Sequence, residues 1–138
     1  MKHFVTNALA ILTFVTLAHP IAAENFQSDS KRFGNPKMDI VMTEVEQGRR
    51  TSVVDIKINK VGSSVGSSFF ILCSLRELAK QRGGFHHIVK VEEMPRRGQM
   101  LVGFLKSADE PPETVDTRFA GAEVIDLEQF SPICDNMK

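Results

Sequence analysis

The sequence has no tryptophan and no tyrosine, so phenylalanine supplies every aromatic ring. Stacking platforms for sugars or nucleic-acid bases usually draw on Trp and Tyr as well, so a site of that kind is not expected. Neither charge is in excess, with 17 basic and 17 acidic side chains. Proteins that bind nucleic acid or anionic membranes generally show a basic excess. The composition therefore argues against both classes, and we expect no nucleic-acid partner.

The sequence also lacks the motifs that carry familiar chemistry. It contains no G-x-S-x-G nucleophile turn and no G-x-x-x-x-G-K-[ST] nucleotide loop. His86 and His87 are neighbours on a predicted strand, where successive side chains point to opposite faces, so they cannot easily bind one metal ion. No His, Cys, Asp and Glu cluster has the spacing of a metal site. We therefore predict no metal and no cofactor, and any catalytic residue stays unknown from the sequence.

What the sequence does contain begins with a segment typical of a secretory signal. Lys2 is the only formally charged side chain before Glu24, residues 4–18 are mostly apolar, and a run of small residues ends with Ala23. We predict a signal peptide over residues 1–23, and hence an exported protein, periplasmic or secreted. The alternative is a retained membrane anchor. The apolar run falls short of the roughly 20 residues that span a bilayer, so we expect no stable membrane span after cleavage.

Two cysteines, Cys73 and Cys134, lie in the predicted mature chain. An even count in an exported protein suggests a disulfide, which would tie the C-terminal segment to the middle of the domain. Closing a loop of this length would stabilise the fold by roughly 4 kcal/mol in the chain-entropy model. The alternatives are two unpaired thiols, with Cys73 a small buried apolar residue, or a reactive Cys73. No C-x-x-C partner supports the last of these.

The predicted mature chain opens with a polar segment and continues as a β-hairpin. Residues 24–37 are mostly polar and contain Gly34 and Pro36, so we predict a flexible N-terminal segment there. In residues 38–61, apolar and polar side chains alternate with the period of a half-buried strand, most clearly around Ile56. A turn at residues 46–50 divides this stretch into two strands.

One main helix is predicted over residues 69–82, ended by Gly83-Gly84, because glycine readily adopts the left-handed conformation at a helix end. Its apolar side chains recur at helical spacing on one broad face. This face comprises Phe69, Leu72, Cys73, Leu75 and Ala79, widened by Ile71 and Leu78. The exposed side is predicted to carry Arg76, Glu77, Lys80 and Arg82.

A second hairpin follows, with strands over residues 85–93 and 99–106. Residues 109–113 are a Pro-rich loop, and residues 122–130 form a C-terminal element that the pattern leaves open between strand and short helix. The resulting order is ββαββ. We predict a single α+β domain over residues 38–138, a two-layer sandwich in which the helix covers one face of an antiparallel sheet.

The Gly/Ser stretch between the first hairpin and the helix is a candidate anion site. A strand precedes it and a helix follows, where backbone N–H groups and the helix dipole can hold an anion. The candidate residues are Gly62, Ser63, Ser64, Gly66 and Ser67. The stretch lacks the lysine and the spacing of a nucleotide loop. The alternative interpretation is a loop that ends in a serine helix cap.

Two turns carry paired arginines, Arg49-Arg50 and Arg96-Arg97. If the helix runs antiparallel to the strand before it, the two hairpin turns lie at opposite ends of the sheet, and the four arginines form no joint patch. Solvated turns are the simplest interpretation, although either turn could contact an acidic partner or a lipid head group.

The stretch FFILCSLRELAKQRGGFHHIVKV, residues 69–91, combines a helix that ends in Gly-Gly with an aromatic-led strand. Together with the signal-like start, this layout resembles small uncharacterised bacterial exported envelope proteins, and it is similar to a helix–Gly–strand segment of some envelope lipoproteins. The chain lacks the lipidated cysteine of such lipoproteins. The resemblance implies a bacterial envelope setting and brings no known activity, so no functional residue is carried over.

A small domain with a candidate disulfide and no assembled chemistry favours a non-enzymatic binding or interaction module of the bacterial cell envelope. Its partner would be an envelope protein or a small ligand. The alternatives are an enzyme or redox protein whose site assembles only in three dimensions, or a secreted effector. An exposed apolar patch or an unpaired strand edge would favour the binding module. A pocket with convergent polar groups and shifted pKa values would favour an enzyme.

Overall fold

The structure is a computed structural model that describes residues 25–137. The predicted signal peptide, residues 1–23, lies outside the described residues. Six strands and two α-helices follow one another, with short 3-10 turns between them. The strands are β1 (Gln27–Asp29), β2 (Asp39–Gln47), β3 (Thr51–Lys60), β4 (His87–Glu92), β5 (Gln99–Leu105) and β6 (Ile125–Asp126). The helices are α1 (Ser64–Gly83) and α2 (Ser131–Asn136).

All six strands join one antiparallel sheet in the order β1-β2-β3-β5-β4-β6. This architecture confirms the predicted α+β class and the ββαββ order of the central elements. Because β3 and β4 both pair antiparallel with β5, they run in the same direction. The turn that precedes β3 and the turn that follows β4 therefore lie at opposite ends of the sheet, as the sequence predicted.

Helix α1 begins five residues earlier than predicted, at Ser64 instead of Phe69. Ser63 caps it, since its side chain accepts a hydrogen bond from the Gly66 N–H at 3.0 Å. Within the helix, the Ser68 hydroxyl donates back to the Ser64 carbonyl at 2.8 Å, so this polar group has a partner. The predicted glycine stop is confirmed, because Gly84 adopts the left-handed conformation with a φ of 75°.

The buried face of α1 differs in detail from the predicted one. Phe70 is fully buried whereas Phe69 is only half-buried. The rest of the predicted face is largely confirmed, because Cys73, Leu75, Leu78 and Ala79 are buried. Arg76 and Arg82, predicted to be exposed, keep only 12 % of their side-chain surface accessible because both bind carboxylates on neighbouring elements. Glu77 and Lys80 are exposed as predicted.

The core has one layer on each face of the sheet. The larger layer lies under α1 and includes the fully buried Ile40, Met42, Phe70 and Phe104. The smaller layer lies on the opposite face, around Phe119. Two 3-10 turns, Pro112–Thr114 and Thr117–Phe119, cover this second face. The sequence did not predict this cover, because residues 109–124 carry too few apolar side chains to show a period.

Both ends of the described chain are more ordered than the sequence suggested. The segment predicted to be flexible, residues 24–37, contains β1 and a 3-10 turn, Ser30–Phe33, and Phe26 is buried. Ser30 fixes this segment by accepting from the Ile40 N–H at 2.8 Å. The C-terminal element, left open between strand and helix, contains β6, a 3-10 turn and α2. No helix within residues 25–137 is long and apolar enough to cross a bilayer.

Candidate functional site

An apolar groove opens at the end of the sheet where β3 finishes. It has a volume of about 210 Å³. Three segments of the chain form it: the last part of β3, the β4–β5 turn with the strand residues on either side of it, and the first half of α1. The lining residues are Ile56, Ile58, Ile71, Glu92, Glu93, Gly98, Gln99 and Met100, and we call this site the groove. Four of these eight residues have large apolar side chains, which is typical of a surface that binds apolar groups.

The groove exists because β3 runs past the start of β5. Pairing between these strands covers residues 51–55 of β3, and Ile56 donates its N–H to the Gly98 carbonyl at 2.9 Å. Beyond that point β3 pairs with β2 alone, as far as Lys60. Alternate residues of a strand direct their N–H and C=O groups to the same side, so Ile58 presents both groups past the first residue of β5. An open strand edge therefore borders the groove.

Exposed apolar side chains concentrate at the same end of the molecule. Of the five large apolar side chains that are exposed within residues 25–137, three lie between residues 58 and 65. Ile58 and Val61 are each 48 % exposed, and Val65 is 64 % exposed. Single exposed apolar residues are ordinary on a protein surface, whereas a cluster beside a groove indicates a binding surface.

Acidic and polar groups form one wall of the groove. The Glu93 carboxylate accepts from the Gly98 N–H at 2.9 Å, which holds the β4–β5 turn in shape. Lys90 donates to Glu92 at 2.8 Å, and this hydrogen bond holds the pKa of Glu92 below its usual range. Gln99 donates to Asp55 at 2.8 Å, while its Oε1 atom is buried without a hydrogen-bond partner. The wall therefore carries two carboxylates and an unused acceptor.

The opposite end of the sheet is closed by a buried ion pair. Glu44 lies on the apolar face of β2 with its side chain fully buried, and Arg82 from the end of α1 reaches it at 3.3 Å. Ser52 donates to the same carboxylate at 2.5 Å, and Gln47 donates to its second oxygen at 2.6 Å. Arg82 also donates to the Gly48 carbonyl at 2.6 Å.

The polar groups of this Glu44–Arg82 cluster are hydrogen-bonded to one another and to nearby main-chain carbonyls. Arg82 further donates to Ser52 and to the Thr51 carbonyl, and its guanidinium stacks over Phe104 at 5.1 Å. A buried carboxylate is a frequent sign of catalysis, but here every oxygen of Glu44 has a donor and none faces a cavity. The cluster therefore fastens the end of α1 to the β2–β3 hairpin.

The two cysteines form a disulfide between α1 and α2, with Cα atoms 5.3 Å apart. This confirms the predicted bridge, and the alternatives of unpaired or reactive thiols are wrong, because no free cysteine remains in the chain. Arg76 strengthens the same junction by donating to Asp135 at 3.2 Å and lying 3.5 Å from Glu128. The Arg76 hydrogen bond holds the pKa of Glu128 below its usual range.

The Gly/Ser stretch is divided between a cap and the first turns of α1. Gly62 precedes the cap, the Gly66 N–H is taken by the Ser63 side chain, and the Ser67 N–H donates to the Ser63 carbonyl at 3.0 Å. The N–H groups of Ser64 and its neighbour Val65 remain at the helix start. The serine cap weighed from the sequence is therefore present, and anion binding at this stretch stays a prediction.

The two histidines predicted to lie on opposite faces do not share a site. His86 lies before β4, with Nδ1 3.4 Å from the Glu128 carboxylate, and His87 is the first residue of β4. Within residues 25–137 no group of three His, Cys, Asp or Glu side chains is placed to hold a metal ion.

The chain matches no protein-family model, no curated protein and no solved structure. Sequence reasoning missed the groove because its walls come from three separate segments. The one available signal was the length of the alternating pattern in β3, which continues to Ile58, well past the point where the shorter β5 could accompany it.

Proposed function

We propose that the protein is a non-enzymatic binding module of the bacterial cell envelope, and that the groove receives an extended segment of a partner protein. The observation that carries this proposal is the open main-chain edge at Ile58, directly beside an apolar groove. An unpaired edge is a ready template for another strand, and an adjacent groove offers room for its side chains.

The partner segment would extend the sheet from the free side of β3. Its main chain would exchange hydrogen bonds with Ile58, while every second side chain would point into the groove, as in other cases of strand addition. The groove is smaller than the roughly 300–1,000 Å³ of typical small-molecule pockets. Its size therefore favours a side chain of a peptide over a whole small ligand.

The charge of the wall restricts the sequence of the partner. Glu92 and Glu93 place two carboxylates on the rim, and the Glu92 side chain is 69 % exposed. Opposite charges across an interface steer association and suppress wrong partners. We therefore expect a segment that alternates apolar residues with at least one lysine or arginine.

The envelope setting is part of the same proposal. A disulfide persists in oxidising compartments such as the periplasm and the extracellular space, and Cys73 is bridged to Cys134. The predicted signal peptide over residues 1–23 agrees with export. The intact mass of protein purified from its native source tests this directly: a chain that starts at Glu24 supports export, and a chain that retains residues 1–23 contradicts it.

The groove is tested by selecting binders from a displayed library of random linear peptides. Selected peptides are then titrated against the wild-type protein, Ile58→Lys and Val45→Lys. Val45 is a matched control, because it is 43 % exposed and lies on β2, away from the groove. The proposal predicts that binding is lost in Ile58→Lys and retained in Val45→Lys.

Three results would contradict the proposal. One is a library that yields no binder, and a second is equal binding by both variants. The third is self-association of the wild-type protein that Ile58→Lys abolishes, because the occupant of the edge would then be a second copy of the chain. Sedimentation velocity of the free protein separates the third result from the others.

A further inference from the structure

A second concave surface lies at the other end of the sheet, and basic side chains dominate it. It is a cleft of about 460 Å³ lined by Arg49, Arg50, Lys106, Thr114 and Val115. We call it the basic cleft. It is more than twice as large as the groove, and it shares no residue with it.

The fold assembles the basic cleft from three distant segments. Arg49 and Arg50 end the turn between β2 and β3, and the Phe104 N–H donates to the Arg50 carbonyl at 2.9 Å. This contact brings the end of β5, and Lys106 after it, beside the arginines. The far wall is the 3-10 turn Pro112–Thr114 on the second face of the sheet. Val115, which follows this turn, packs against the smaller core layer and holds the turn in place.

One cation of the basic cleft is held in position by a carboxylate. Arg50 Nη1 lies 2.5 Å from Glu110, and the two side chains keep only 21 % and 18 % of their surface exposed. Glu110 also accepts from the Lys106 N–H at 2.9 Å. The Arg50 hydrogen bond is the main reason that the pKa of Glu110 lies below its usual range. Arg50 is therefore fixed in place with its Nε and Nη2 donors unused.

The other cations have no such partner. Within residues 25–137, the Arg49 side chain makes no ion pair and no hydrogen bond, and Lys106 makes no ion pair. The lining of the basic cleft therefore carries three positive side chains, of which Arg50 is paired with Glu110. Thr114 offers no further donor, because its hydroxyl donates to the Pro111 carbonyl at 2.6 Å. Whatever ligand enters must be recognised by the cations.

We propose that the basic cleft binds a phosphate monoester. Such a group carries about −1.5 to −2 charges at neutral pH and three strong acceptor oxygens, which match the excess of positive charge and the free guanidinium donors. Two arginines offer the planar donor pairs that suit phosphate oxygens, and the lysine adds a point charge. The cleft is far larger than a bare phosphate, so it leaves room for the organic part of the ester beside Val115.

The proposal is independent of the groove, because the two sites lie at opposite ends of the sheet. It also agrees with the balanced charge of the chain. A general excess of positive charge would indicate nucleic acid or a broad anionic surface, whereas a local excess in a concave site indicates a small anion.

The test is a calorimetric titration of the wild-type protein, Arg49→Ala and Arg96→Ala with glycerol 3-phosphate. Arg96→Ala removes the same charge from an exposed turn at the far end of the sheet and is the matched control. Because Arg49→Ala removes charged hydrogen bonds to the ligand, we expect it to weaken binding by about tenfold or more. Arg96→Ala should bind as the wild-type protein does.

Competing anions define the chemistry. Inorganic phosphate should bind more weakly than glycerol 3-phosphate, because it lacks the organic part, and citrate should not displace the ester. The proposal would be overturned if neither glycerol 3-phosphate nor phosphatidic acid vesicles bind. Equal loss in both variants, or full displacement by citrate, would also overturn it, since each would indicate unspecific charge attraction.

Vesicles distinguish the two sources of a phosphate monoester. Phosphatidylcholine vesicles that contain phosphatidic acid present the group on a membrane, and vesicles that contain phosphatidylglycerol present a phosphodiester of lower charge. Binding to phosphatidic acid vesicles with the same loss in Arg49→Ala assigns the site to a lipid head group. Binding of the free ester alone assigns it to a soluble metabolite. Equal binding to both kinds of anionic vesicle would contradict the preference for a monoester.

Discussion

The two ends of the sheet are built in opposite ways. At the end where α1 finishes, Arg82, Glu44 and Ser52 satisfy one another inside the protein. At the end where α1 begins, β3 outruns β5, and Ile58 leaves both its side chain and its main chain accessible. The first end is closed by polar contacts within the chain, and the second is open to contacts from outside it.

This difference separates a stabilising cluster from the groove, and the basic cleft lies at the same end as the cluster but shares no residue with it. Outer edges of a sheet invite unwanted pairing, and here both outer strands are short, with three residues in β1 and two in β6. An unpaired edge also lies at Ile58, on a central strand, where the β4–β5 turn and α1 limit access. A partner must therefore fit the groove to reach the edge.

The closed end should be the most sensitive to mutation. Arg82→Ala leaves the Glu44 carboxylate buried and without its cation, so we expect unfolding to become easier by about 3–5 kcal/mol. Urea denaturation measures this change. Arg32→Ala is the matched control, because the Arg32–Glu77 pair is 43 % and 47 % exposed and should contribute only about 0–1 kcal/mol.

A paired replacement sharpens this prediction. Glu44→Leu combined with Arg82→Met removes both charges and should recover much of the stability lost in Arg82→Ala, because no uncompensated charge remains. If Arg82→Ala costs no more than Arg32→Ala, the ion pair does not hold the closed end together.

The disulfide lies between the two ends and should affect both of them. Replacing Cys73 and Cys134 by serine should lower the free energy of unfolding by about 2–5 kcal/mol, because the unfolded chain regains the freedom of a long loop. Urea titrations of the native protein with and without reductant give the same comparison without mutation. A loss confined to α2, seen by hydrogen exchange, would show that the bridge stabilises only the C-terminal segment.

Acid should weaken the fold slightly, through the carboxylate of Asp116. A side-chain hydrogen bond from Arg118 lowers the pKa of Asp116 to about 2, from 3.8. A lowered folded-state pKa adds stability above pH 3.8, and that stability is lost as the pH falls towards 2. Arg118 is 45 % exposed, so solvent screening reduces the effect to a few tenths of a kcal/mol. Asp116→Asn should flatten the pH dependence of stability in this range, and an unchanged profile would contradict the assignment.

The open end should tolerate mutation best. Ile58→Lys and Val45→Lys both replace an exposed apolar side chain on a strand, and each should change the free energy of unfolding by less than about 0.5 kcal/mol. Thermal denaturation compares them. A large loss in Ile58→Lys alone would show that Ile58 supports the core, and its role as a binding residue would then fail.

The sequence predicts local elements well where one segment carries the whole signal. The alternation around Ile56 gives the first hairpin, and Gly83-Gly84 gives the end of α1. The sequence predicts the start of α1 too late because the Gly/Ser stretch consists of small residues that show no helical period. Ser63 nevertheless caps the helix. The disulfide between Cys73 and Cys134 could be predicted without knowledge of the fold. The chain has two cysteines, and an exported protein meets an oxidising compartment.

Sites that join distant segments could not be predicted in the same way. Glu44 follows the apolar positions of β2, which hints at burial, but its partner Arg82 lies 38 residues away and looks like an exposed end of a helix. The same holds for Arg50 and Glu110, which are 60 residues apart. Their pairing depends on the order of strands in the sheet, and a single sequence does not give that order.

The most direct test of the account is the hydrogen exchange of the Ile58 amide, measured by NMR in the free protein and with a selected peptide bound. The free amide should exchange much faster than that of Val54, which pairs with Met100 of β5. Binding of the peptide should slow exchange at Ile58 and leave Val45 unchanged. A peptide that binds while the Ile58 amide still exchanges at its free rate would contradict strand addition at this edge.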